Sequence, residues 1–196
     1  MISEEIVAAY IRDHRADARE ELVYYRKAPS LRIAISRASE KRSSHQNRIR
    51  PPLLKEAEHR LQASADIGAT PDFEKLHSAV ERLIGPISGI GELCVYDIAH
   101  RIAAFCGFEP KLVYLHRGTR EGARALGFKG KTLDPALLPA AFSRLTPAEI
   151  EDCLCIYKAA LASGKLALGA QPYASLCRPT HVRRKRSCRQ MRVPGC

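Results

Sequence analysis

Apolar residues recur at helical spacing along almost the whole chain, and this periodicity limits the fold more than any other feature. Phe73, Leu76, Val80 and Leu83 fall at i, i+3, i+7 and i+10, the spacing of one face of an α-helix. Thr70 and Pro71 are read as the cap of that helix. Near the N-terminus Ser3, Glu4 and Glu5 start a helix with Ile6, Ala9, Tyr10 and Ile11 clustered on it. A further helix is expected from Ser30 to Ser43, and after Pro51 and Pro52 another carries Leu53, Leu54, Ala57 and Leu61. The clearest start is Thr146-Pro147-Ala148-Glu149. It joins an N-cap hydroxyl, a proline at the first helical position and a glutamate that can reach back to the cap. That helix shows Ile150, Leu154, Tyr157 and Leu161 on one face and ends near Gly164. Alternating runs of strand length are scarce apart from Leu112 to Leu115, and no repeat of solenoid period occurs. The expectation is an all-α fold: one compact helical domain over residues 1–169, followed by a basic, disordered tail over 170–196.

A chain of 196 residues is long enough for one sizeable core. No apolar run approaches the ~18 residues needed to span a bilayer. The stretch MISEEIVAAYIRDHRADARE has no basic leader followed by an apolar core, so a cytoplasmic location is expected. Cys94, Cys106, Cys153, Cys155, Cys177, Cys188 and Cys196 contain no C-x2-C pair, and an odd count suits neither a disulfide framework nor a zinc site. Reduced thiols and no metal or other cofactor are expected. Cys153 and Cys155 point to different sides of a helix, which makes at least one of them core filler.

The net charge of +11 is concentrated in two segments. Arg178, Arg183, Arg184, Lys185, Arg186, Arg189 and Arg192 lie in a tail without acids. Arg26, Lys27, Arg32, Arg37, Lys41, Arg42, Arg48 and Arg50 face only Glu40. The remaining residues are slightly acidic. Two cationic segments suit a polyanion, because each neutralised phosphate releases condensed counterions. A solvated, solubilising surface is the plainer alternative.

Between the two best-defined helical patterns lies LIGPISGIGELCVYDIAHRIA, residues 83–103. Gly89 and Gly91 can take positive φ and leave the backbone bare, so that a phosphate can approach the amides. A helix starting near Glu92 directs unsatisfied N–H groups and its positive dipole end at that anion. Val95, Ile98, Ala99 and Ile102 then share a face suited to packing on the Phe73–Leu83 helix. The same residues are compatible with a plain αα-corner in which the glycines make a tight turn.

Ser88-Gly89-Ile90-Gly91, with Val95 and Ile98 four and seven residues beyond the second glycine, resembles the helix-hairpin-helix motif of non-sequence-specific DNA-binding proteins, placed here at about residues 71–105. Pro110 to His116, followed by a helix closing on Leu126-Gly127, is similar to the segment after the hairpin in the helix-hairpin-helix DNA glycosylases. That resemblance covers about residues 70–165. It implies an all-helical fold that grips one DNA strand near the hairpin. Those enzymes place an aspartate where this chain has His116, and bifunctional members place a lysine where it has Leu93. The resemblance therefore supports a DNA-binding scaffold that lacks the usual catalytic groups. The alternative is a repair glycosylase acting on damaged bases with a non-standard residue.

Ser88, Gly89, Ile90, Gly91 and Glu92 are accordingly the expected nucleic-acid contacts, joined by Arg117, Thr119, Arg120, Lys129 and Lys131. Thr119 is expected to cap its helix while the two arginines reach outward to phosphate. His116 and Asp97 are the candidates for catalysis; Asp97 and His100 lie three apart on one helix. His45-Gln46-Asn47-Arg48 offers a further contact from the basic block. No phosphate-binding glycine loop with a lysine, no carboxylate cluster for paired metals and no serine–histidine–aspartate arrangement is present, which argues against an ATPase, nuclease or hydrolase. The expected partner is DNA, with RNA as the alternative, and no membrane.

Overall fold

The computed structural model describes residues 2–40 and 49–166. The basic tail, Lys41, Arg42 and the His45–Arg48 segment lie outside the described residues. The molecule is all-α, and α1 to α9 are Ile2–Asp13, Arg15–Arg26, Leu31–Ala38, Pro51–Ala63, Phe73–Ile84, Glu92–Cys106, Arg117–Ala125, Pro147–Ile156 and Lys158–Ser163. Two short strands, β1 (Val113–Tyr114) and β2 (Thr132–Leu133), pair antiparallel with Val113 opposite Leu133. The sequence reading anticipated an extended segment at β1 but not its partner. No helix among the described residues is long and apolar enough to cross a membrane.

Local capping explains most boundaries. Thr146 accepts a bond from the Glu149 amide at 3.3 Å, and the Glu149 carboxylate accepts one from the Thr146 amide at 3.0 Å, the capping box expected from the sequence. The start of α5 differs from expectation. Asp72, not Thr70 with Pro71, is its cap, accepting from the Lys75 amide at 2.9 Å, because a carboxylate one residue before the helix reaches the third amide directly. The last helical stretch is also not continuous. It breaks at Tyr157 between α8 and α9 before Gly164 closes it in the left-handed region.

Two apolar cores organise these elements. The first contains Leu54, Leu61, Phe73, Leu76, Val80, Ile98 and Ile102 from α4, α5 and α6. The second contains Ile6, Val7, Tyr10, Val113, Phe142, Ile150 and Leu154 around α1, α7 and α8. The α2 helix joins them: Tyr25 is fully buried, and Glu21 pairs with Arg101 of α6 at 3.7 Å. At its other end Arg15 and Arg19 hold the Glu149 carboxylate at 3.0 and 2.9 Å, which fastens the N-terminal helices to the first turn of α8.

The α7 helix approaches α8 closely because two of its residues lack side chains. A Cβ on Gly122 would lie 2.2 Å from the Leu154 carbonyl oxygen, and one on Gly118 would lie 2.6 Å from the Cys155 sulfur. The Gly122 obstruction is backbone and cannot swing aside, whereas the Cys155 side chain can rotate. Gly122→Ala is therefore expected to cost about 3 kcal/mol or more, at or beyond the upper end of ordinary overpacking. Gly118→Ala should cost clearly less. Urea denaturation of both variants checks this, and equal midpoints would contradict the packing described.

Candidate functional site

The loop between α5 and α6 is built by two isoleucines that anchor it and two glycines that leave it open. The Ile87 amide donates to the Ile84 carbonyl at 3.0 Å and the Ile90 amide to the Ile87 carbonyl at 2.9 Å, so the chain turns twice after α5. Ile87 and Ile90 are both buried in the first core. Ser88, Gly89, Gly91 and Glu92 are exposed on the outer side. Gly89 has φ of +100°, a conformation that L side chains rarely adopt, and a Cβ there would lie 2.8 Å from the Leu53 side chain. Gly91 is different. Its φ is −106°, in the extended region open to any residue, and a Cβ there would meet nothing within 4 Å. Positive φ is thus required at Gly89 alone.

Gly91 is the N-cap of α6 and has no side chain to offer the helix. The Glu92 and Leu93 amides belong to the first turn and have no intrahelical acceptor. Val95, Ile98, Ala99 and Ile102 are buried against α5, as the spacing predicts. The Glu92 carboxylate stands on the first turn of α6 and pairs with Arg120 of α7. Arg120 also donates through Nε to the Leu115 carbonyl at 2.8 Å. The first turns of α6 and α7 are thereby held side by side, and Arg117 is exposed at the start of α7. Lys129 and Lys131 are exposed in the turn before β2, and the Lys131 carbonyl accepts from the Leu115 amide at 2.8 Å.

Three expectations are corrected. Arg120 is not an outward arm, because its guanidinium is taken up by Glu92 and the Leu115 carbonyl. Ile90 is buried with its amide already donated, so neither its side chain nor its N–H faces outward. Thr119 is fully buried and does not cap α7. Its hydroxyl donates to Glu151 at 2.6 Å, because the third residue of α7 faces α8.

His116, only 5% exposed, is bonded to the same Glu151 carboxylate and lies 3.0 Å from the Thr119 hydroxyl. Burial opposes charge on this imidazole, but the charge and hydrogen bond of Glu151, with Asp97 beyond, outweigh it and hold His116 above its ordinary value. His100, stacked on Tyr96 at 5.6 Å, is shifted the other way by burial. Burial and the nearby Glu151 push the Tyr96 phenol well up. Asp152, next to Glu151, accepts from the Tyr10 hydroxyl at 3.2 Å and is also raised, by burial and then by the neighbouring carboxylate. The sequence reading named His116, Asp97 and His100 but missed Glu151, Asp152 and Arg101. Their signal is acids at Glu151 and Asp152 inside the apolar run of α8, and a buried arginine between Ala99 and Ile102 of α6.

Cys94, Cys106, Cys153 and Cys155 are free thiols. Burial pushes Cys94 up to about 12, and Cys153, which fills the second core, is also raised. Among the described residues, no group of three or more histidine, cysteine or acidic side chains is arranged to hold a metal ion. No family model, no curated protein and no solved structure matches the chain.

The His116 bond gives a direct prediction. In the wild type the imidazole should titrate above its ordinary value of about 6.5. In Glu151→Gln, where burial becomes the dominant influence, it should titrate below that value. The stabilisation that His116 adds is therefore complete below about 6.5 and fades as pH rises through the folded-state value. Ring-proton NMR against pH reads both shifts, and identical curves for the two proteins would refute the assignment.

Proposed function

We propose that this chain binds DNA without regard to base sequence, with the Ser88–Gly91 turn and the first turn of α6 receiving a backbone phosphate. The observation that carries the reading is the pairing of a bare, exposed glycine turn with unsatisfied amides at the start of a 15-residue helix. Such donors read charge and shape, not base edges. Arg117 lies beside that surface through the Glu92–Arg120 link, and Arg117, Lys129 and Lys131 add cationic reach toward neighbouring phosphates. Glu92 is anionic at the same turn, and Arg120 offsets its charge.

The position that a glycosylase would use for chemistry is filled by His116, which is buried and engaged by Glu151 and Thr119. In this proposal that position holds α7 against α8 and performs no reaction on the sugar. An RNA ligand remains the competing partner, and its mark would be a clear preference for structured RNA over duplex DNA.

Gly91→Ala separates binding from folding. The residue is extended and its Cβ would enter open space, so the urea midpoint should stay within experimental error of wild type. The added methyl projects from the turn, and affinity for a labelled duplex should fall roughly tenfold, which is about 1.4 kcal/mol. Fluorescence anisotropy at several salt concentrations, with the full chain and with one shortened to residue 169, measures this. If Gly91→Ala binds as wild type does, or if shortening abolishes binding, the hairpin is not the binding element.

A further inference from the structure

The outer face of α7 carries two arginines that the packing of the helix leaves unused. Thr119, Gly122 and Ala123 are buried, with the Thr119 hydroxyl on Glu151 and Gly122 against the Leu154 backbone, so that side of the helix faces α8. Arg117 and Arg124 lie seven residues apart, close to two full turns, and so stand in line on the opposite side, about 10.5 Å apart along the axis. Both are exposed. On one flank of this line Arg120 pairs with Glu92 of α6, and on the other Glu121 pairs with Lys158 of α9 at 2.7 Å. The flanking charges therefore cancel in pairs. Among the described residues neither Arg117 nor Arg124 forms an ion pair or a side-chain hydrogen bond. Arg117 also stands in the first turn of α7, where the positive end of the helix dipole disfavours a cation, so its charge does not stabilise the helix.

We propose that Arg117 and Arg124 form a two-point phosphate ridge along α7, which extends the contact at the start of α6 to a further stretch of the same nucleic-acid backbone. The inference rests on the reading of the Ser88–Gly91 turn as a phosphate site, and it makes the ligand a polyanion of regularly spaced charges instead of a single anion. The Glu92–Arg120 pair sets the ridge beside the α6 turn. Phosphates of one strand follow each other by about 3.4 Å along the axis of a duplex. Cations about 10.5 Å apart on a rigid helix therefore meet different phosphates, and each releases its own counterions.

The test is fluorescence anisotropy of a labelled DNA duplex at several salt concentrations, with full-length wild type, Arg117→Gln, Arg124→Gln and the double variant. Glutamine matches arginine in helix propensity, and both side chains are exposed, so the urea midpoints should stay close to wild type. The slope of log affinity against log salt should lessen by about 0.9 in each single variant and by about 1.8 in the double variant. Unchanged slopes, or a double variant no different from either single one, overturn the ridge. Gly91→Ala in the same series separates this inference from the one on which it rests. If Gly91→Ala weakens binding while the arginine variants keep the wild-type slope, the ridge falls and the α6 turn stands as the binding element. If the arginine variants lose slope as expected while Gly91→Ala binds as wild type does, the ridge stands and the turn falls. A wild type that does not bind the duplex overturns both.

Discussion

The Glu151 carboxylate is the interaction on which the second half of the molecule depends. It is buried, and it receives the Thr119 hydroxyl and the His116 imidazole from the first turn of α7. A charge buried between helices is costly unless hydrogen-bonded, and these two partners supply the bonds. Their spacing also fixes α7 in rotation. His116 and Thr119 are three apart, so both can reach one carboxylate only when that face meets α8, which brings Gly122 onto the α8 backbone and Gly118 onto the Cys155 side chain. Polar satisfaction and close apolar contact are thus two consequences of a single orientation.

The parts of this fold that are visible in the sequence are those decided within a few residues. The capping box at Thr146 needs only its own first turn, and the α5 and α6 stripes need only helical period. The glycine turn between α5 and α6 is readable for the same reason, although spacing does not distinguish the glycine that needs positive φ from the one that does not. Contacts between distant segments were not readable. Gly122 looks like a weak point in a short helix until the Leu154 carbonyl lies against it, and Thr119 looks like a surface cap until Glu151, 32 residues on, accepts its hydroxyl. Asp152 looks like an ordinary surface acid until the Tyr10 hydroxyl, 142 residues away in the chain, donates to it. The same limit applies to Arg120, read as an outward arm but held by Glu92 and the Leu115 carbonyl.

The polar groups divide by position into two kinds. Those at the hairpin are backbone amides on an exposed turn, held by buried isoleucines and by Leu53 of α4. Those in the interior are side chains withdrawn from water and balanced against one another. An amide at a helix start attracts anions at any pH near neutrality, whereas the interior set contains groups whose charge depends on proton uptake. On the proposed reading, binding is the task of the first kind, while the second kind seats α7 on α8.

These two kinds are mechanically joined. Glu92 begins the helix that would receive phosphate, Arg120 grips Glu92, and Arg120 rides on α7, whose orientation is fixed by Glu151. A change in the seating of α7 on α8 would therefore reach the hairpin through one ion pair, not through the apolar core, where Ile87 and Ile90 are anchored independently. Since Glu92 is exposed, that ion pair is screened by salt and worth little in stability. Its effect is on charge at the turn: with Arg120 in place the Glu92 carboxylate is offset, and with α7 displaced it would stand unbalanced where the proposed reading puts a phosphate. The interior carboxylate and the exterior one thus act on the same turn, the first by holding α7 in register and the second by responding when that register changes.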